Sequence, residues 1–172
     1  MEEGWVSPNY SLVDVVEYEM NLEKRRCIEN FCITFFKDYW DGVNTPLART
    51  CRQLIKERRL CTITEKISTS ISADTFDSAF QAMGSELFVN GVVKDEYVIS
   101  LLIFSIKLDL CLRDCIWYTS SLLINALIKT LEEARFNPLT FKWNRSDDTV
   151  NAIIRSFVII IPCLLLSFIL FK

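Results

Sequence analysis

Val98-Ile-Ser-Leu-Leu-Ile-Phe-Ser-Ile106 carries no charge, and neither does Tyr97 before it. Its apolar residues keep to no single side of a helix or a strand. A helix that is apolar all round must be buried on every side or lie in lipid. This one is too short to cross a bilayer unaided and is flanked closely by Lys94, Asp95, Glu96, Lys107 and Asp109. The stretch therefore predicts a central helix wrapped by others, fed by the turn Ser85-Glu-Leu-Phe-Val-Asn-Gly-Val-Val93.

Working outward, the composition suits one helical domain. The chain has 172 residues, 51% of them apolar, and only four glycines and four prolines interrupt it. A net charge of -3 and a pI near 5.1 leave no basic footprint for nucleic acid. Seven cysteines, with no apolar leader pattern in Met1 to Tyr10, fit a reducing compartment. Neither Cys27 with Cys32 nor Cys111 with Cys115 has a zinc-knuckle spacing, so no metal or other cofactor is expected. There is no histidine and no glycine-rich phosphate loop, and Asp147-Asp148 reads as a solvated linker or helix cap. Neither an enzyme nor a binder of a small-molecule substrate is expected.

Before the central helix, Ser11 caps a first helix, with Asp14 in its first turn. Leu12, Val15, Val16 and Met20 are expected on its buried face, and the apolar pattern runs on through Ile28, Phe31, Cys32, Phe35 and Phe36 to Asp41-Gly42. That continuation is either an extension or a second short helix. Thr45-Pro46 opens the next helix, which is expected to reach Arg59, with Leu47, Cys51, Leu54 and Ile55 on one side and basic residues on the other. Thr62 to Ser72 is polar and β-branched and predicts at most a short, poor helix. Asp74 or Thr75 then caps a helix whose inner face is Phe76, Ala79, Phe80, Met83, Leu87 and Phe88, stopped by Asn90-Gly91. After the central helix, a second apolar helix is expected from about Cys115 to Phe136, with Ile116, Leu122, Leu123, Ala126, Leu127 and Leu131, until Asn137-Pro138 breaks it.

Ser156 to Phe171 is uncharged. At about 1.5 Å per residue it reaches roughly 24 Å, and adding Ala152 to Arg155 brings it to about 30 Å, the thickness of a hydrocarbon core. Residues 150–172 are thus expected to be a single-pass tail anchor behind a body of residues 1–149 that faces the cytosol. Such a short tail suits the mitochondrial outer membrane or the endoplasmic reticulum. The other reading of the same residues is a buried C-terminal helix of the domain.

Ile71 to Val93 and Val98 to Ser105 together resemble the first homology motif of the Bcl-2 family of apoptosis regulators. In that family a Phe, then Glu-Leu-Phe, then an acidic or amide residue and Gly recur at the spacing of Phe80, Glu86, Leu87, Phe88, Asn90 and Gly91. Asn-Trp-Gly-Arg follows in the family, and Lys94, Asp95, Glu96 and Tyr97 stand in its place here. The family's Arg pairs with an invariant Asp on a partner's death-motif helix. Tyr97 cannot make that pair, whereas Lys94 can approach it from another angle. The death motif's own apolar spacing is kept by Leu47, Cys51 and Leu54, but Ile55 and Lys56 replace the small residue and Asp that follow it. Of the second homology motif, Phe141 and Trp143 are the only trace. Such erosion suits a fast-diverging, viral member acting on a host.

The resemblance implies an all-α Bcl-2-like helical bundle around a central apolar helix, with a C-terminal tail-anchor helix. It implies a pro-survival regulator of apoptosis that binds amphipathic death-motif helices of pro-apoptotic family members in a hydrophobic groove. By position the groove is lined by Met83, Glu86, Leu87, Tyr97, Ser100 and Phe104, faced by Leu47, Cys51 and Leu54. Two alternatives stay open: a membrane-permeabilising effector of the Bax and Bak kind, and a tail-anchored helical adaptor unrelated to apoptosis.

Overall fold

The structure, a computed structural model, describes residues 11–88, 91, 93–143 and 150–158. Among them the chain is all-helical, without a strand: α1 (Leu12–Trp40), α2 (Pro46–Leu54), α3 (Arg58–Ser68), α4 (Phe76–Leu87), α5 (Asp95–Leu112), α6 (Ser120–Glu133) and a last segment, α7, over 150–158.

The core is organised around α5. Every residue from Val98 to Ile106 is buried, including Ser100 and Ser105, whose hydroxyls donate back to the carbonyls of Glu96 and Leu101 and so leave no orphaned polar group. α2, α3 and α6 pack on α5, and α6 in turn packs on α1 and α4. The inner face expected for α4 holds at all six positions: Phe76, Ala79, Phe80, Met83, Leu87 and Phe88 are buried. Gly84 lets α4 approach α6, since a Cβ there would meet the Thr130 Cγ2 methyl at 2.6 Å. The turn after α4 uses Gly91 at φ 69, where glycine carries no steric cost; Asn90 lies outside the described residues.

Four expectations about helices need correction. α1 is one continuous helix of 29 residues, closed at its start by a capping box in which the Ser11 hydroxyl accepts from the Asp14 amide and the Asp14 carboxylate accepts from Ser11. Leu12, Val15, Val16 and Met20, however, are exposed rather than buried. At about 100° per residue, Leu12, Val16 and Met20 lie roughly 130° around the axis from the Ile28, Cys32 and Phe35 face that meets the bundle. The Thr45 helix ends at Leu54 instead of Arg59, and the polar stretch after it forms α3, an ordinary 11-residue helix. Its Thr and Ser cost a few tenths of a kcal/mol each, which contact with α5 and burial of Ile67 outweigh.

The second apolar helix begins at Ser120, not near Cys115. Cys115 to Tyr118 is a turn, Thr119 caps α6 by accepting from the Leu122 amide, and Ile116 is fully exposed. α6 ends in a Schellman arrangement in which the Phe136 amide donates to Leu131 and the Arg135 amide to Glu132, with Arg135 at φ 60 in the left-handed position that glycine usually holds.

No described helix is long and apolar enough to cross a membrane. Most of the expected anchor, residues 159–172, lies outside the described residues, as does Asp147-Asp148. The part that is described, α7, packs into the body: Ile153 and Phe157 are fully buried, and Ser156 is hydrogen-bonded to Ser100 of α5.

Candidate functional site

The groove expected from the sequence involves α2, α4 and α5. α2 starts at Pro46, with the Thr45 hydroxyl accepting from the Ala48 amide. Its angle to α1 is fixed by Arg52, whose guanidinium donates to the carbonyls of Val43, Asp38 and Tyr39 at 2.9, 3.1 and 3.0 Å and lies over the Tyr39 ring. Those three carbonyls belong to the end of α1 and the turn after it, where intrahelical donors run out. From the other side the Trp143 indole donates to the Thr50 hydroxyl at 2.8 Å. Trp143 and Phe141, which contacts Phe31 and Phe136 edge-on, therefore tie the segment after α6 to α1 and α2.

Held this way, α2 places Cys51 and Leu54 in the same core cluster as Met83 and Leu87 of α4 and Phe104 of α5. These five residues and Ser100 are buried; Phe104 and Met83 have no exposed surface, and the Phe104 ring meets Phe80 edge-on. All six are packed into the interior. Leu47, Glu86 and Tyr97 are only partly buried. Leu47 and Tyr97 pack at the border of the cluster. Beside Tyr97, the Lys94 ammonium sits 5.6 Å from the ring centroid, which keeps a cation at the start of α5. Asp95, next to it, has its carboxyl raised above the ordinary range by partial burial, with a backbone bond from Lys142 acting the other way.

α7 covers α5 at Ser100. Ser100 and Ser156 share a hydrogen bond, and Ser156 also donates to the Ile153 carbonyl. Among the described residues, Ser100 is the member of the nine expected to line a groove that bonds to the chain's own C-terminal segment. The cysteines carry no sign of reactivity at this place. Burial pushes the Cys51 thiol up to about 12 against the opposing pull of Arg52, and Cys32 of α1 likewise to about 12.

Asp109, in the sequence only a charge flanking the apolar run, is a buried anchor of the fold. It is buried at the far end of α5, where one carboxylate oxygen accepts two bonds from Arg113 at 3.2 and 3.0 Å and the other accepts from the Tyr118 and Ser120 hydroxyls. Arg113 in turn lies 4.2 Å from the Trp40 ring centroid. Three elements, α1, α5 and the start of α6, are stapled there. Burial and the adjacent carboxylate keep the Tyr118 phenol protonated far above its ordinary range. The signal in the sequence is the spacing of Asp109 and Arg113, four apart on one helix. A cavity of about 260 Å³ opens beside this knot, between Phe36, Trp40 and Leu123. Every carboxylate oxygen of Asp109 at its edge is already bonded, so the knot reads as structural.

Among the described residues, no three cysteine or acidic side chains converge as a metal site. No protein-family model matches the chain, no curated protein matches it, and no solved structure matches it.

Proposed function

We propose that the chain is a helix-capturing regulator of cell death, of the pro-survival Bcl-2 kind, and not a catalyst. The observation that carries this reading is α5. Its uncharged run from Val98 to Ile106, buried at every position, follows α4, which ends in Glu86-Leu87 with Phe88 as its cap, and the amphipathic helix α2 packs alongside. An apolar floor of Met83, Leu87 and Phe104 supplies the hydrophobic anchorage for a foreign amphipathic helix. Leu47, Glu86 and Tyr97 form its rim, and the Lys94 ammonium supplies a cation for the partner's Asp. α7 occupies the Ser100 end, so capture proceeds with displacement of α7. The C-terminal residues then anchor the protein in the mitochondrial outer membrane or the endoplasmic reticulum, with the body in the cytosol.

Calorimetric titration of the full chain with a panel of death-motif peptides tests this. Binding to at least one, weakened several-fold by Leu47→Ala with Tyr97→Ala in a folded variant, is the expected result. Absence of heat with every peptide ends the proposal. Dye-loaded liposomes with an activator peptide separate capture from the effector alternative: a captor blocks release, an effector causes it.

A further inference from the structure

Residues 12–26 of α1 leave the bundle. All are exposed, with Leu12 at 79%, Met20 at 55% and Val16 at 47%. A helix of about 15 residues is marginal in water without packing, yet this arm is finished with a full capping box at Ser11 and Asp14. Its base is held by Arg25, which bonds Glu29 and lies 3.7 Å from Glu132 of α6.

The side facing away from Arg25 has the layout of a coiled-coil seam. Val13, Val16, Met20 and Cys27 recur at steps of three, four and seven, interrupted by Glu23. One edge of the seam carries Glu17 and then Lys24, and the other carries Glu19 and then Arg26. On both edges an acid precedes a base by one heptad. A second copy lying antiparallel sets Val16 against Cys27 and Met20 against Glu23. In that register Glu17 faces the other copy's Lys24, and Glu19 faces its Arg26, each pair occurring twice. A parallel copy brings only Glu19 to Lys24 and forces two bodies against each other at one end, whereas the antiparallel one puts them at opposite ends.

We propose that this arm is a self-association site, pairing antiparallel with the same stretch of a second copy of the chain. The seam is short, and Glu23 interrupts it, so the dimer is weak.

Sedimentation equilibrium of the full chain in density-matched detergent tests the pairing, with circular dichroism confirming that each variant is folded. A reversible monomer–dimer equilibrium is expected. Val16→Glu with Met20→Glu, or the milder Val16→Ala with Met20→Ala, weakens it tenfold or more. Glu23→Leu tightens it. Lys24→Glu alone weakens it several-fold, and adding Glu17→Lys in the same chain restores it, because the exchanged charges still face each other only when the helices run antiparallel. A chain that stays monomeric to about 100 μM, a dimer indifferent to the seam variants, or a Lys24→Glu loss that Glu17→Lys does not repair overturns the proposal.

Discussion

α5 and the first half of α1 are both helices rich in apolar residues, and the fold treats them in opposite ways. α5 is enclosed along its uncharged run, whereas residues 12–26 stand wholly in solvent. Hydrophobic content alone does not separate them, since the arm carries Leu12, Val13, Val15, Val16, Tyr18, Met20 and Leu22. Charge does. The arm interleaves Asp14, Glu17, Glu19, Glu23, Lys24, Arg25 and Arg26 with its apolar residues, while α5 has none between Glu96 and Lys107. Enclosing the arm would desolvate several ions without partners, at several kcal/mol each, against about 1.5–3 kcal/mol gained per buried aliphatic side chain.

The contrast is open to direct attack by mutation. The largest effect is expected in the middle of α5. Leu102→Ala should cost about 2–5 kcal/mol in urea unfolding, by lost burial and a residual cavity. A loss below about 1 kcal/mol would mean that α5 is not enclosed. At its far end, Asp109→Ala strands the Tyr118 and Ser120 hydroxyls and releases Arg113. A destabilisation of roughly 2–4 kcal/mol is expected, together with looser packing of Trp40 visible in its fluorescence. Where α4 crosses α6, Gly84→Ala should cost about 1–3 kcal/mol. Thr130→Ser, which removes the methyl that the new Cβ strikes, should recover much of that loss in a double-mutant cycle. On the arm, Met20→Ala in the monomer should stay within about 0.5 kcal/mol of the parent, and a larger loss would show that the arm packs on the body.

The contrast also marks how far the residues can be read. The enclosure of α5, the inner face of α4 and the caps at Ser11 and Thr45 were legible, because each rests on a local pattern that nothing in the tertiary structure opposes. The destiny of Leu12, Val15, Val16 and Met20 was not. Their spacing defines a face, but only the phase of Ile28, Cys32 and Phe35 twenty residues on says which face meets the bundle. α3 was hidden because weak propensity is overridden by contact with α5. The late start of α6 follows from Asp109, which draws the Tyr118 and Ser120 hydroxyls to itself and holds Cys115 to Tyr118 in a turn.

For the candidate site, the sequence placed nine residues near α5, but it could not separate floor from rim. Leu87 and Phe104 are enclosed, so their removal tests the core more than a groove; Leu47, Glu86 and Tyr97 are the better probes. The sequence left residues 150–158 between a membrane anchor and a buried helix of the domain, because apolar residues bound for lipid and for a protein interior look alike.

Amide hydrogen exchange on the full chain, with and without a bound death-motif peptide, tests the central claim most directly. With α5 as the enclosed floor of a capture site, Val98 to Ile106 should exchange slowest in both states. Peptide should slow exchange in α2 and around Lys94 to Tyr97 while speeding it in residues 150–158 as α7 is displaced. Fast exchange along α5, or peptide protection confined to other helices with residues 150–158 unchanged, would contradict it.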